Sequence, residues 1–220
     1  MQEIDHVAAG AILLVSVVQA FADPEFLKRV ERMTFYKAGA ATGLGMGLLV
    51  LVMWNVAGRP VAEFGLFGWI DREPLATVLA ALAWPLFLAA LAALLLTRFR
   101  TRVKDFYSGY GHLMPHSRKE LPTAYATAAC AGFGEEIAYR GFLIWYLQAF
   151  AGLGVALIAS SLIFGIAHGY QGKLGMAFAT VAGLILAAAY ILSESLLLVL
   201  WMHATYNIAS FTVGYRLLRG

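Results

Sequence analysis

The sequence predicts an all-α integral membrane protein with about seven transmembrane helices, its N-terminus outside and its C-terminus cytoplasmic. Composition, charge-free stretches and the placement of the basic residues carry that expectation. Of the 220 residues, 61% are hydrophobic and 13% charged, with a mean hydropathy of +0.74. A soluble domain is about a quarter charged, so this chain lacks the polar side chains to cover a water-facing surface. An ordinary cytoplasmic enzyme, a disordered chain and a nucleic-acid binder are excluded; the expected partner is the lipid bilayer, with no nucleic acid. The single cysteine, Cys130, forbids an internal disulfide and leaves no cysteine cluster for a structural metal.

Crossing about 30 Å of hydrocarbon takes about 20 helical residues. His6 to Ala22 is marginal in length and is preceded by Glu3 and Asp5 rather than the basic residues of a secretory signal, so it reads as a retained first helix. Ala38 to Gly58, Leu75 to Thr97, Leu174 to Ser193 and Ser195 to Tyr215 are free of Asp, Glu, Lys and Arg over a crossing length. Gly141 to Gly172 is too long for one crossing, and Ala151-Gly152-Leu153-Gly154 offers a turn within it. Pro122 to Gln148 is then the fourth helix and Gly154 to about Gly169 the fifth. Thr101 to Glu120 reads as a solvated, basic cytoplasmic loop, with a membrane-surface segment as the alternative.

The basic residues provide an independent test. Thirteen fall in the loops after helices one, three and five and in the C-terminal tail, against only Arg59 and Arg72 on the opposite side. Positively charged loops stay cytoplasmic, which fixes the expected orientation. The expected location is a prokaryotic cytoplasmic (inner) membrane.

Helix four carries Gly134-Glu135-Glu136-Ile137-Ala138-Tyr139-Arg140 in its middle. An ionisable group at the bilayer centre costs about 2.5 to 3.5 kcal/mol even on lenient insertion scales, so these groups need partners or water. Glu136 and Arg140 are four apart, stack on one face and can pair. Glu135 lies about 100° round the helix and is left available. Packing between helices, a conduction path and catalysis all remain open on this segment alone.

Of five histidines, His168 and His203 are intramembrane. His203 and Asn207 are four apart and present imidazole and carboxamide on one face. His112 and His116 have helical metal-ligand spacing, but Pro115 intervenes and the segment is not apolar. Counted at about 1.5 Å per residue from the nearest cytoplasmic charge, His168, Asn207, His203 and Glu135 spread over about 16 Å of depth. The average places the site in the inner half of the membrane.

Glu-Glu-x-x-x-Arg on helix four, then Phe164-x-x-x-His168, then His203-x-x-x-Asn207, in that order on separate hydrophobic helices, resembles the CPBP intramembrane proteases, the CAAX-processing and bacteriocin-processing group that includes the Ras-converting endopeptidase. The resemblance covers Glu135 to Asn207; the first 120 residues carry no motif that aligns. It implies a single polytopic domain over 1–220 with a motif-bearing core at about 121–215. It further implies an endopeptidase acting on a membrane-associated or lipid-modified protein or peptide, in which Glu135 activates water with help from His168, and His203 and Asn207 stabilise the oxyanion. Glu136, Arg140 and Phe164 would support them. The chemistry agrees, since a carboxylate in a low-dielectric cavity is a useful base and amide and imidazole donors suit a developing negative charge. No cofactor is expected; zinc held by Glu135, His168 and His203 with one open position is the alternative. The rival in another class is a non-catalytic membrane scaffold or bacteriocin-immunity factor of the same fold.

Overall fold

In hydrocarbon every backbone N–H and C=O must be satisfied within the chain, and a helix does this segment by segment. The elements of the computed structural model, which describes residues 1–65 and 73–219, are all helical. They are α1 (Glu3–Ala20), α2 (Pro24–Arg29), α3 (Arg32–Val56), α4 (Pro74–Arg98), α5 (Arg100–Gly109), α6 (Leu121–Glu136), α7 (Ile144–Ala167), α8 (Gly172–Ser193) and α9 (Leu196–Leu218). Arg72, one of the two basic residues assigned to the outer side, lies outside the described residues.

Among the described residues six helices are long and apolar enough to cross a membrane: Glu3–Ala20, Arg32–Val56, Pro74–Arg98, Leu121–Ala167, Gly169–Ser193 and Leu196–Leu218. The fourth runs 47 residues and is broken at Gly152, where φ of 77° and ψ of 165° interrupt the helical path. The break falls in the Ala151 to Gly154 turn expected from the sequence. Two expectations are corrected. The first helix starts at Glu3 rather than His6. The expected solvated loop after residue 100 instead forms helix α5, which packs on the bundle. The Tyr107 hydroxyl lies 3.2 Å from Ser210 Oγ on α9, and the Phe106 ring is 5.6 Å from that of Phe178 on α8.

Lipid tails are as apolar as the helices, so close van der Waals packing rather than the hydrophobic effect joins helices in a bilayer. Helices α3 and α6 achieve this with small residues. Gly39, Gly43 and Gly47 repeat every fourth residue on α3 and meet Thr127, Ala131 and Gly134 of α6. A Cβ on Gly43 would lie 2.9 Å from the Ala131 Cα, and one on Gly134 would overlap the Gly43 carbonyl. This contact sets the depth and rotation of α6 directly before Glu135.

Two polar clasps hold the ends of α3. At one end Asp5 of α1, 2% exposed, takes a two-point ion pair from Arg59, Nη1 to Oδ1 at 2.6 Å and Nη2 to Oδ2 at 2.7 Å. The same guanidinium lies 4.9 Å from the Trp54 ring centroid and 4.6 Å from that of Trp145, which shields it from lipid. At the other end Arg32 Nε donates to Glu120 Oε2 at 3.1 Å, just ahead of α6. Burial alone would raise the Glu120 carboxyl, but the hydrogen bonds and charge of Arg32 outweigh it and hold the group below the ordinary carboxylate value.

Helix α4 is peripheral, and Pro85 explains how it attaches. Proline has no N–H, so the carbonyl of Ala81 four residues earlier loses its helical donor. Trp201 of α9 supplies the missing bond, Nε1 to Ala81 O at 2.9 Å, and Trp84 Nε1 donates to the Met202 carbonyl at 3.0 Å.

The seam makes a direct prediction. Gly134→Ala should lower the thermal unfolding temperature of purified protein in detergent, with a cost of about 1 to 3 kcal/mol for overpacking. Gly45→Ala, whose Cβ would meet nothing within 4 Å, should leave it unchanged. Equal behaviour of the two variants would refute the role of the α3–α6 contact.

Candidate active site

The site forms where α6 stops being an α-helix. From Ile137 to Leu143 the chain adopts a π-helical turn, which leaves carbonyls free for other partners and recurs at functional sites. The Tyr139 carbonyl accepts the Ile144 N–H and also the Ser160 hydroxyl at 2.7 Å. The Tyr139 hydroxyl lies 2.8 Å from Ser16 Oγ on α1. Ser16 spends its one proton on the Ile12 carbonyl, so Tyr139 is the donor. The turn is thereby pinned to α1 and α7, and the two glutamates before it are held at fixed depth.

Glu136 and Arg140 pair as their spacing predicts, Nη1 to Oε1 at 2.7 Å with side-chain exposures of 0% and 1%. Arg140 also donates to the Gly183 carbonyl of α8 at 3.3 Å and sits 4.4 Å from the Phe164 ring centroid. Spacing could not reveal a further bond, His203 Nδ1 to the same Glu136 Oε1 at 2.6 Å. A carboxylate only accepts, so Nδ1 carries the proton and the second nitrogen, Nε2, is turned elsewhere. Nε2 lies 3.7 Å from Glu135 Oε2, too long for a direct hydrogen bond.

The adjacent glutamates therefore differ in environment. Glu136 is fully buried and its Oε1 is engaged twice, whereas the Glu135 side chain is 17% exposed. Each keeps a buried Oε2 without a hydrogen-bond partner. His168 caps α7, with Nδ1 2.8 Å from the Phe164 carbonyl, and its ring is 4.6 Å from that of Phe164. The Phe164 ring in turn meets His203 edge-on at 5.9 Å. Asn207, partly exposed, follows one turn after His203 on α9. Glu135, Glu136, Arg140, Phe164, His168 and His203 thus form one connected neighbourhood, and the 16 Å depth spread inferred from flanking charges does not separate them. Flanking charges mark where a helix meets water, whereas the glycine contacts set how deeply it sits.

Among the described residues no three His, Cys, Asp or Glu side chains group as a metal site. His203 Nδ1 is engaged by Glu136, and its Nε2 is turned toward Glu135. His112 and His116 belong to no such metal group. The Gly39-x3-Gly43-x3-Gly47 spacing is a legible sign of the seam that positions Glu135, one that a search for charged and histidine side chains passes over. The Gly183 carbonyl and the His203–Glu136 bond leave no sign in the sequence, because they join residues 43 and 67 positions apart.

The stability roles of the two glutamates should separate cleanly. Glu136→Gln strips Arg140 of its counter-charge and weakens the bond to His203. It should destabilise the protein on the scale of about 3 to 5 kcal/mol seen for broken buried pairs. Glu135→Gln should leave abundance and unfolding temperature near wild type. Similar unfolding curves for the two would contradict this assignment.

Residues 117–209 match the family described as Rce1-like, type II CAAX prenyl endopeptidase. The match spans every residue of the cluster from Glu135 to Asn207. No curated protein and no solved structure matches the chain.

Proposed function

We propose that this chain, whose segment 117–209 belongs to the CAAX-type CPBP protease family, is an intramembrane endopeptidase using a glutamate-activated water. The observation that carries the reading is the asymmetry of the two glutamates. Glu136 is fully buried with its Oε1 held by both Arg140 and His203, while Glu135 is 17% exposed and faces His203 Nε2 at 3.7 Å.

In this mechanism Glu135 removes a proton from water as the oxygen attacks the scissile carbonyl carbon. The Nδ1–H of His168 is spent on the Phe164 carbonyl, so Nε2 offers a lone pair that orients the same water. The oxyanion is received by the Asn207 carboxamide and by His203. His203 donates through Nε2 only when its ring carries both protons, with the Nδ1–H held by Glu136. Glu135 then returns its proton to the leaving amine as the carbon–nitrogen bond breaks. The substrate is a protein or peptide presented at the membrane, with or without a lipid modification. No metal takes part; the competing set is zinc on Glu135, His168 and His203.

Comparing protein termini in membranes carrying wild type or Glu135→Gln tests the activity before any substrate is identified. New termini should appear only with wild type, and their absence would remove the protease reading. With a peptide identified in this way, chelator-treated protein should keep its turnover. His203→Ala and Asn207→Ala should each lower kcat by about two to three orders of magnitude with little change in KM. Loss of activity on chelation, restored by zinc, with metal lost in His203→Ala but kept in Asn207→Ala, would favour the zinc set instead.

We also propose a single domain over 1–220 with its core at about 121–215. The break at Gly152 divides the 47-residue helix into two crossings, making seven, with the N-terminus outside and the C-terminus in the cytoplasm of a prokaryotic inner membrane. A reporter active only in the cytoplasm should score when fused after Lys104 or Arg219 and stay silent when inserted after Arg59. A signal at Arg59 would reverse the orientation.

A further inference from the structure

His168 ends α7 with a tightened last turn. Its backbone N–H bonds to the Gly165 carbonyl at 3.0 Å rather than to the Phe164 carbonyl, its regular partner four residues back. The His168 ring meets that carbonyl itself through Nδ1 at 2.8 Å. A carbonyl cannot donate, so this bond selects the Nδ1–H tautomer and leaves Nε2 as the lone-pair nitrogen. One bond at the end of a helix does not hold an imidazole against rotation. The Phe164 ring supplies a second contact at 4.6 Å, and a third comes from outside the three motifs. The Tyr170 ring lies 5.9 Å from that of His168 with the planes only 28° apart.

The turn that carries Tyr170 is shaped tightly by glycine. A Cβ on Gly169 would lie 2.6 Å from the Ala20 carbonyl oxygen of α1, and Gly172 adopts a φ of +75°. These two flank Tyr170 and Gln171, and the Gln171 side chain lies over Gly175, where a Cβ would overlap it. Gln171 Nε2 donates to the Tyr170 hydroxyl at 3.0 Å, and Phe35 of α3 backs the tyrosine ring at 6.3 Å.

We propose that Tyr170 is a positioning residue. Its ring, backed by Phe35, holds the His168 imidazole in the orientation in which Nδ1 caps the Phe164 carbonyl and Nε2 remains free for water. The inference rests on the reading of His168 as the partner of Glu135. It also gives that turn a purpose beyond connecting α7 to α8, since a ring is kept where chain direction alone requires none.

The decisive experiment is nitrogen NMR of protein labelled at histidine, in detergent, with no substrate added. Wild type and Tyr170→Phe should show His168 as the Nδ1–H tautomer alone, and Tyr170→Ala should show a mixture. Turnover of the peptide cleaved in a Glu135-dependent manner should follow. Tyr170→Ala should lose about 100-fold in kcat with KM nearly unchanged, the scale of a small misplacement of a reacting group, and Tyr170→Phe should retain wild-type rates. Phe35→Leu, which removes only the backing ring, should give a smaller loss of the same kind and serves if Tyr170→Ala does not fold. A single tautomer together with unchanged kcat in Tyr170→Ala overturns the proposal. So does a Tyr170→Phe variant as impaired as the alanine, because the hydroxyl would then be the acting group. If no Glu135-dependent cleavage is found, the protease reading fails, while the NMR result still decides whether Tyr170 holds His168.

Discussion

Three ionisable side chains within a few residues of an apolar helix impose the constraint that the rest of this structure answers to. None can be left bare in a medium that cannot solvate it, and removing one partner of a buried pair leaves the other at full cost. Glu136 meets the constraint by receiving both Arg140 and His203 on one oxygen. Arg140 meets it by spreading its remaining capacity over the Gly183 carbonyl and the Phe164 ring. Helices α8 and α9 and the end of α7 are therefore tied to one point on α6. Glu135 is the exception, partly exposed beside a Glu136 that is fully buried and held by Arg140 and His203.

The same physics accounts for features remote from the site. A bilayer offers no hydrophobic driving force between helices, so α3 and α6 associate through backbone proximity at Gly39, Gly43, Gly47 and Gly134. Helix α4 lacks such a stripe and is held by indole donors, one of which compensates the carbonyl that Pro85 leaves unpaired. At the far end Asp5 is buried with Arg59, so the acidic residue that argues against a signal peptide in the sequence also carries a structural bond. In each case a polar atom that lipid cannot serve finds a partner elsewhere in the chain.

What the sequence by itself determined follows from local rules. Helical class, the chain's apolar character and the break near Gly152 come from composition and from residues whose effects act within a turn or two. The Glu136–Arg140 pair was legible for the same reason, since four residues along a helix is a contact whatever the fold. The motif residues could be named individually because charged and histidine side chains stand out against an apolar background. Tertiary structure alone decided which of them meet. His203 is bonded to Glu136 and not merely beside Asn207, Arg140 reaches Gly183, and Tyr170 stacks on His168, because separate helices are brought together by glycine contacts and by a turn around Gly169 and Gly172. Flanking charges do not fix relative height, because they record where each helix reaches water, not how far one helix slides along another. The latter is set by the fit of backbone against backbone.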